Sequence, residues 1–93
     1  MLQIVWSDEA RGDLRSLIEY IAPRNSIAAR RMKTLLDEAI LPAVEHPYLF
    51  RPGRVAGTRE IVFHPNYILV YQVGDGTLVV LRVLHARQQY PKL

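Results

Sequence analysis

Three observations predict an α+β fold in the order β-α-α-β-β-β, with a helical hairpin packed on a small, curved, mainly antiparallel sheet. Two stretches in the first half repeat apolar residues every three or four positions, the mark of a helix with one buried face. The second half holds three runs rich in β-branched and aromatic residues, separated by turn signals. A short β-type segment opens the chain. At 93 residues the chain is expected to form one domain spanning 1–93.

Leu2 to Trp6 reads as the first strand. Ser7 follows as an N-cap, with Asp8 and Glu9 in the first turn, where negative charge complements the helix dipole. Ala10, Leu14, Leu17, Ile18 and Ile21 then form one apolar stripe, and Pro23 and Asn25 close the helix. Ser26 is placed to cap a second helix, whose stripe is Ile27, Met32, Leu35, Leu36, Ala39, Ile40 and Ala43. Pro42 removes a backbone donor and is expected to kink or end its last turn. The short link between the helices favours an antiparallel hairpin.

His46 to Gly53 is turn-rich and reads as a loop. The β-type runs are Gly57 to His64, Tyr67 to Val73 and Thr77 to His85. Pro65-Asn66 turns the chain between the first two, and Gly74-Asp75-Gly76 forms a three-residue loop between the last two. The later two runs are apolar on both faces, as central strands under helices are.

The charge is divided between the halves. Residues 1–45 carry six basic and seven acidic side chains, a net of −1; residues 46–93 carry six and two, a net of +4. Ten of the twelve basic residues are Arg, whose planar fork grips a phosphate or carboxylate at two points. A strand-borne Arg cluster suggests a surface that meets an anion, on nucleic acid or an acidic protein; a soluble domain with a basic face is the plain alternative. Cysteine is absent, so there is no disulfide or zinc-finger framework. No His, Asp and Glu spacing supports a metal site, and neither a phosphate-binding glycine loop nor a Ser-His-Asp order is present. No cofactor is therefore expected. The opening apolar stretch is too short for a secretory signal, and no run is long enough to span a bilayer, so a soluble cytoplasmic protein without a membrane partner is expected.

Regular alternation in the last strand puts Leu78, Val80, Arg82 and Leu84 on one face and Val79, Leu81, Val83 and His85 on the other. An Arg amid apolar residues needs a partner. Two readings of Arg82 stand: a pair with Glu60 that fixes strand register, or an anion contact on the open side of the sheet. Arg59 must face away from its neighbour Glu60. Arg51 and Arg54 flank Pro52-Gly53 on a loop, where solvation is the default. His85, Arg87 and Tyr90 form an ionisable cluster after the last strand. His46 and His64 lie beside prolines and read as local structure.

Gly53 to Val62 (GRVAGTREIV), His64 to Tyr71 (HPNYILVY) and Leu81 to Pro91 (LRVLHARQQYP) together resemble the RelE/ParE toxin superfamily of bacterial type II toxin–antitoxin modules. So do Trp6-Ser7, Ala10, Asp13-Leu14 and Tyr20-Ile21. The resemblance covers essentially the whole chain, in order, and is closest to the ParE branch. It implies a helical hairpin on a curved sheet and a toxin neutralised by a cognate antitoxin in a hetero-oligomer. Antitoxin contacts are then expected at Leu14, Ile18, Leu35, Leu36, Arg54 and Arg82.

The superfamily divides over its target. ParE-type members bind DNA gyrase; RelE-type members cut mRNA in the ribosome. The RelE alternative implies Arg59 and Arg82 as phosphate clamps with His85 or Tyr90 as acid or base. The segment from His46 to Pro52 lacks the dense basic run of ribosome cutters, which favours gyrase. The target-binding surface is then expected at Arg59, Arg82, His85, Arg87 and Tyr90, converging into one electropositive platform. An inactive homologue serving only as an antitoxin-binding module is the third reading.

Overall fold

The computed structural model describes residues 2–91. Its strands and helices run β1 (Gln3–Trp6), α1 (Asp8–Ile21), α2 (Ser26–Glu45), β2 (Arg51–Pro52), β3 (Arg59–His64), β4 (Tyr67–Gly74) and β5 (Thr77–His85). The sheet order is β1-β5-β4-β3-β2, with β1 parallel to β5 and every other pair antiparallel. The expected α+β order holds, with a fifth strand added. Arg51–Pro52 lies in the segment read as loop, and it pairs with Arg59 and Glu60 at the sheet edge, where a proline is tolerated.

Local chemistry sets the element ends. The Ser7 hydroxyl accepts the Ala10 N–H at 3.0 Å, as expected of the α1 cap. The α2 cap is Asn25 rather than Ser26: its side chain accepts the Ala28 N–H at 2.9 Å, and Ser26 is already helical. Pro42 does not stop α2. The helix runs three residues past it to Glu45, and Pro42 itself accepts the His46 N–H. The β4–β5 turn is two residues, Asp75-Gly76, because Gly74 already pairs with Thr77; Gly76 takes the positive φ of 66° that the turn requires. β3 starts at Arg59, two residues later than expected, because Gly57 has φ 84° and cannot extend the ladder.

Both helices pack on one face of the sheet. Ala10, Met32, Leu36, Ile40 and Ala43 meet Ile61, Phe63, Leu69, Tyr71, Leu78, Val80 and Val83 in the core. Ile27, assigned to the α2 stripe by spacing, is exposed, and Ala29 is buried in that turn instead. The central strand β4 has four consecutive buried residues, Ile68 to Tyr71, so it is covered on both faces as its composition predicts.

Alternation in β5 is broken. Val70 pairs with Arg82 but Tyr71 pairs with Val80, which leaves Leu81 as an extra residue, a β-bulge. Before the bulge, Leu78 and Val80 face the helices; after it, Val83 does. Arg82 and Leu84 are thereby turned to the other face. The expected grouping of Leu78, Val80, Arg82 and Leu84 on one face is thus incorrect, and Arg82 avoids a core that would leave its charge unpaired.

Tyr71 closes the core near the C-terminal end of α2. Its hydroxyl donates to the Pro47 carbonyl. Burial holds its phenol above the ordinary value of 10.0, and the nearby Arg59 charge partly opposes this. The folded state thus keeps the proton more tightly than the unfolded chain, so the Tyr71 contribution to stability is full below pH 10 and is lost as pH rises through the folded value. Tyr71→Phe is expected to cost about 1 kcal/mol at neutral pH through the lost hydrogen bond and to flatten the alkaline decline. Urea midpoints measured from neutral to about pH 11 check both effects.

Candidate functional site

A row of cross-strand partners runs over the face opposite the helices: Arg51, Glu60, Val70 and Arg82. Glu60 is its anchor and is only 5% exposed. One carboxylate oxygen accepts Arg51 Nε and Nη2 at 3.2 and 3.0 Å; the other accepts the Arg54 backbone N–H at 3.2 Å and lies 3.7 Å from Arg54 Nε. Two cations thus offset one buried anion, which is what burial of a carboxylate demands. The rest of the Arg54 guanidinium holds the tail, donating to the carbonyls of Ala86, Gln88 and Tyr90 at 3.3, 2.9 and 3.4 Å. Val70, the cross-strand partner of Glu60, is fully buried on a face the helices do not cover.

Arg82 pairs with Asp13 of α1, not with Glu60. Its Nε donates to Asp13 Oδ2 at 2.7 Å and its Nη2 to Oδ1 at 3.2 Å. The same carboxylate accepts the Val83 N–H at 2.9 Å, and the Ser7 hydroxyl donates to the Leu81 carbonyl at 3.0 Å. The β1 ladder reaches only to Val80, so these two backbone groups lie beyond it, and side chains around the start of α1 satisfy them. The pair with Asp13 also holds the Arg82 guanidinium above the ordinary arginine value, its hydrogen bond being the largest contribution. The Tyr90 ring lies 5.5 Å from the guanidinium carbon. Asp13 is the residue that sequence reasoning leaves without a role. The available signal is its helical spacing from Ala10 and Leu17, which places an acid on the flank of the buried stripe.

Arg59 lies in the other row, opposite Tyr71, on the face of the sheet that carries the core. Its Nη1 donates to the carbonyls of Tyr48 and Phe50 at 3.1 and 2.7 Å, and the guanidinium carbon is 5.2 Å from the Tyr48 ring centre. His85 lies on that face too, opposite Tyr67, with ring centres 5.3 Å apart. Tyr67 and Tyr71 are four residues apart on β4, so the Arg59 and His85 rows are separated by about 13 Å. The expected platform is therefore divided. Arg82 and Tyr90 share one side, Arg59 and His85 occupy opposite ends of the other, and the convergence of Arg59 with Arg82 is not found.

His85 is exposed, and its Nδ1 accepts the Arg87 N–H at 3.1 Å. His64 has the same arrangement with Asn66 at 3.0 Å and lies 5.4 Å from the Tyr67 ring. Among the described residues no group of three or more His, Cys, Asp or Glu is placed to hold a metal.

The helical hairpin carries a separate feature. Leu14, Ile18, Ala22 and Ala29 line an apolar groove of about 450 Å3, with Arg30 and Lys33 beside them. Of the apolar residues expected to meet an antitoxin, Leu14 and Ile18 border this groove, Leu35 is half-buried and Leu36 is wholly inside the core.

Asp13→Ala is expected to destabilise the fold by about 1–3 kcal/mol, since Arg82 and the Val83 N–H both lose their partner. Asp13→Asn, which keeps an acceptor but not the charge, should fall between it and the parent. Urea denaturation with the slope held constant measures this.

Comparison with known proteins agrees with this geometry. The family described as "ParE toxin of type II toxin-antitoxin system, parDE" matches residues 4–90. Toxin RelE2 of Caulobacter vibrioides is 36% identical over 88 residues, covering 92% of this chain and 97% of that protein. A chain of the chromosomal ParDE TA system from P. aeruginosa superposes with a TM-score of 0.79 at 19% identity, over 91% of this chain and 96% of that one. The YoeB/ParE toxin from Agrobacterium tumefaciens gives 0.65 at 20% identity, over 90% and 98%. With the two helices, the five-stranded mixed sheet and a family match from β1 to the tail, this chain belongs to the ParE toxin family of type II toxin–antitoxin systems.

Proposed function

We propose that this toxin arrests growth by binding DNA gyrase through a protein–protein surface, and that a cognate antitoxin neutralises it. The observation that supports a contact mechanism is the commitment and separation of its cations. Cleavage of RNA needs positive groups at one phosphate and a proton acceptor near the attacking oxygen. Arg82 is held by Asp13, and Arg59 lies in a row on the opposite face. The contact surface is the β5 end and tail, where His85 and Arg87 are exposed and Tyr90 flanks Arg82.

The groove between α1 and α2 suits an amphipathic antitoxin segment. Its apolar side would cover Leu14 and Ile18, and its acidic residues would face Arg30 and Lys33. The P. aeruginosa neighbour comes from a ParDE TA system, which supports such a partner. Gyrase is a cytoplasmic target, and no described helix is long and apolar enough to cross a membrane.

Ribosome-dependent mRNA cleavage is the second reading. The placing of His64 and His85 beside Tyr67, with ring centres 5.4 and 5.3 Å from that of the tyrosine, is the observation in its favour.

Purified toxin is expected to inhibit supercoiling by purified gyrase and to induce the SOS response when expressed without its antitoxin. Arg87→Glu should raise the concentration for half-inhibition about tenfold, equivalent to about 1.4 kcal/mol. Codon-positioned mRNA cleavage that His85→Gln removes, with supercoiling intact, would replace this reading with the ribosomal one. Growth unaffected by the toxin in either assay would leave an antitoxin-binding module.

A further inference from the structure

We propose that the cavity beside Arg59 is a carboxylate-binding site that receives a single acidic arm of a protein partner. The cavity measures about 260 Å3 and is lined by Tyr48, Pro52, Gly57, Thr58, Arg59 and Val73. Three features define its ligand. First, Arg59 has no carboxylate within ion-pair range among the described residues, whereas Arg51, Arg54 and Arg82 on the other face are all paired. Its charge is left for an external anion.

Second, the guanidinium is already oriented. Both protein acceptors, the Tyr48 and Phe50 carbonyls, are served by Nη1. The Nε–H and Nη2 donors remain, and they form the fork that matches the two oxygens of a carboxylate. Holding the fork in place beforehand lowers the ordering cost of binding.

Third, the walls are largely apolar and carry one cation. Tyr48, Pro52 and Val73 displace water from the pairing site, which strengthens the attraction. The Thr58 hydroxyl is engaged with the Val55 carbonyl at 2.6 Å and adds no free donor. One cation in a side-chain-sized recess fits a monoanion on a slender arm, such as Asp, Glu or a chain terminus. A phosphodiester is flanked by sugars on both sides and suits an open groove.

The carboxylate site rests on the cavity and does not depend on gyrase being the target. The test titrates the intact chain with N-acetyl-L-glutamate, N-acetyl-L-glutamine and dimethyl phosphate, followed by NMR at the Arg59 Nε–H and the Gly57 and Thr58 amides. Glutamate is expected to give saturable shifts at these groups, and the neutral amide to bind about tenfold more weakly. Val73→Phe fills the recess without touching the Arg59 hydrogen bonds and should abolish the shifts; retention of the Arg59–Phe50 contact confirms that this variant folds. Equal binding of the amide, tighter binding of dimethyl phosphate, or unchanged binding in Val73→Phe each overturns the proposal.

Discussion

One extra residue in β5 governs which way the late side chains point. Leu81 has no partner across the ladder, and from that position onward the strand presents the opposite set of side chains to the helices. The consequence is chemical as well as geometric. Arg82 emerges where Asp13 can meet it, and Val83 replaces it over the core. Past Val80 the β1 ladder has ended, and the Leu81 carbonyl and Val83 N–H there are taken by Ser7 and Asp13. The start of α1 and the break in β5 therefore stabilise one another. A helix start fixed by its cap, worth about 1 kcal/mol by itself, is here also a tether to the most distant strand in sequence.

The positive half of the chain is less available than its net charge suggests. Glu60 draws in Arg51 and Arg54, and Asp13 comes from the acidic half to engage Arg82. Among the described residues, what remains outside ion pairs is Arg59, turned toward the loop after α2, and Arg87 on the exposed tail. A charge census thus overstates the field at any one point, because internal pairing fixes side chains and lowers local potential together. The surface that meets a partner is a few placed groups rather than a uniform basic face.

Much of the architecture is legible in the residues alone. Period and caps identify both helices, and Thr77–His85 has its correct bounds because a β-rich run sits between a glycine turn and a polar tail. What stays hidden depends on tertiary context. No local signal distinguishes Asn25 from Ser26 as a cap, since both side chains can accept an N–H. Pro42 is tolerated because a proline near the end of a helix costs little once packing holds the turn. The bulge is invisible because Leu-Arg-Val reads as unbroken alternation. With that phase lost, Arg82 falls on the same face as Arg59 and the shared platform follows; Glu60 does share a row with Arg82, and only the tertiary placement of α1 makes Asp13 its partner instead. The resemblance to a toxin family is immune to such slips because it rests on motifs spread over the whole chain.

The Arg54 clasp holds the tail by its carbonyl oxygens and by none of its side chains. Main-chain oxygens are the same whatever residue carries them. Positions 87 and 89 are consequently released from any duty to the fold at this contact, and substitution there alters what the molecule displays without loosening the clasp; Gln88 between them also accepts the His85 N–H at 3.4 Å through its side chain. A toxin built this way can drift in specificity along its last segment, while a single guanidinium keeps that segment in register.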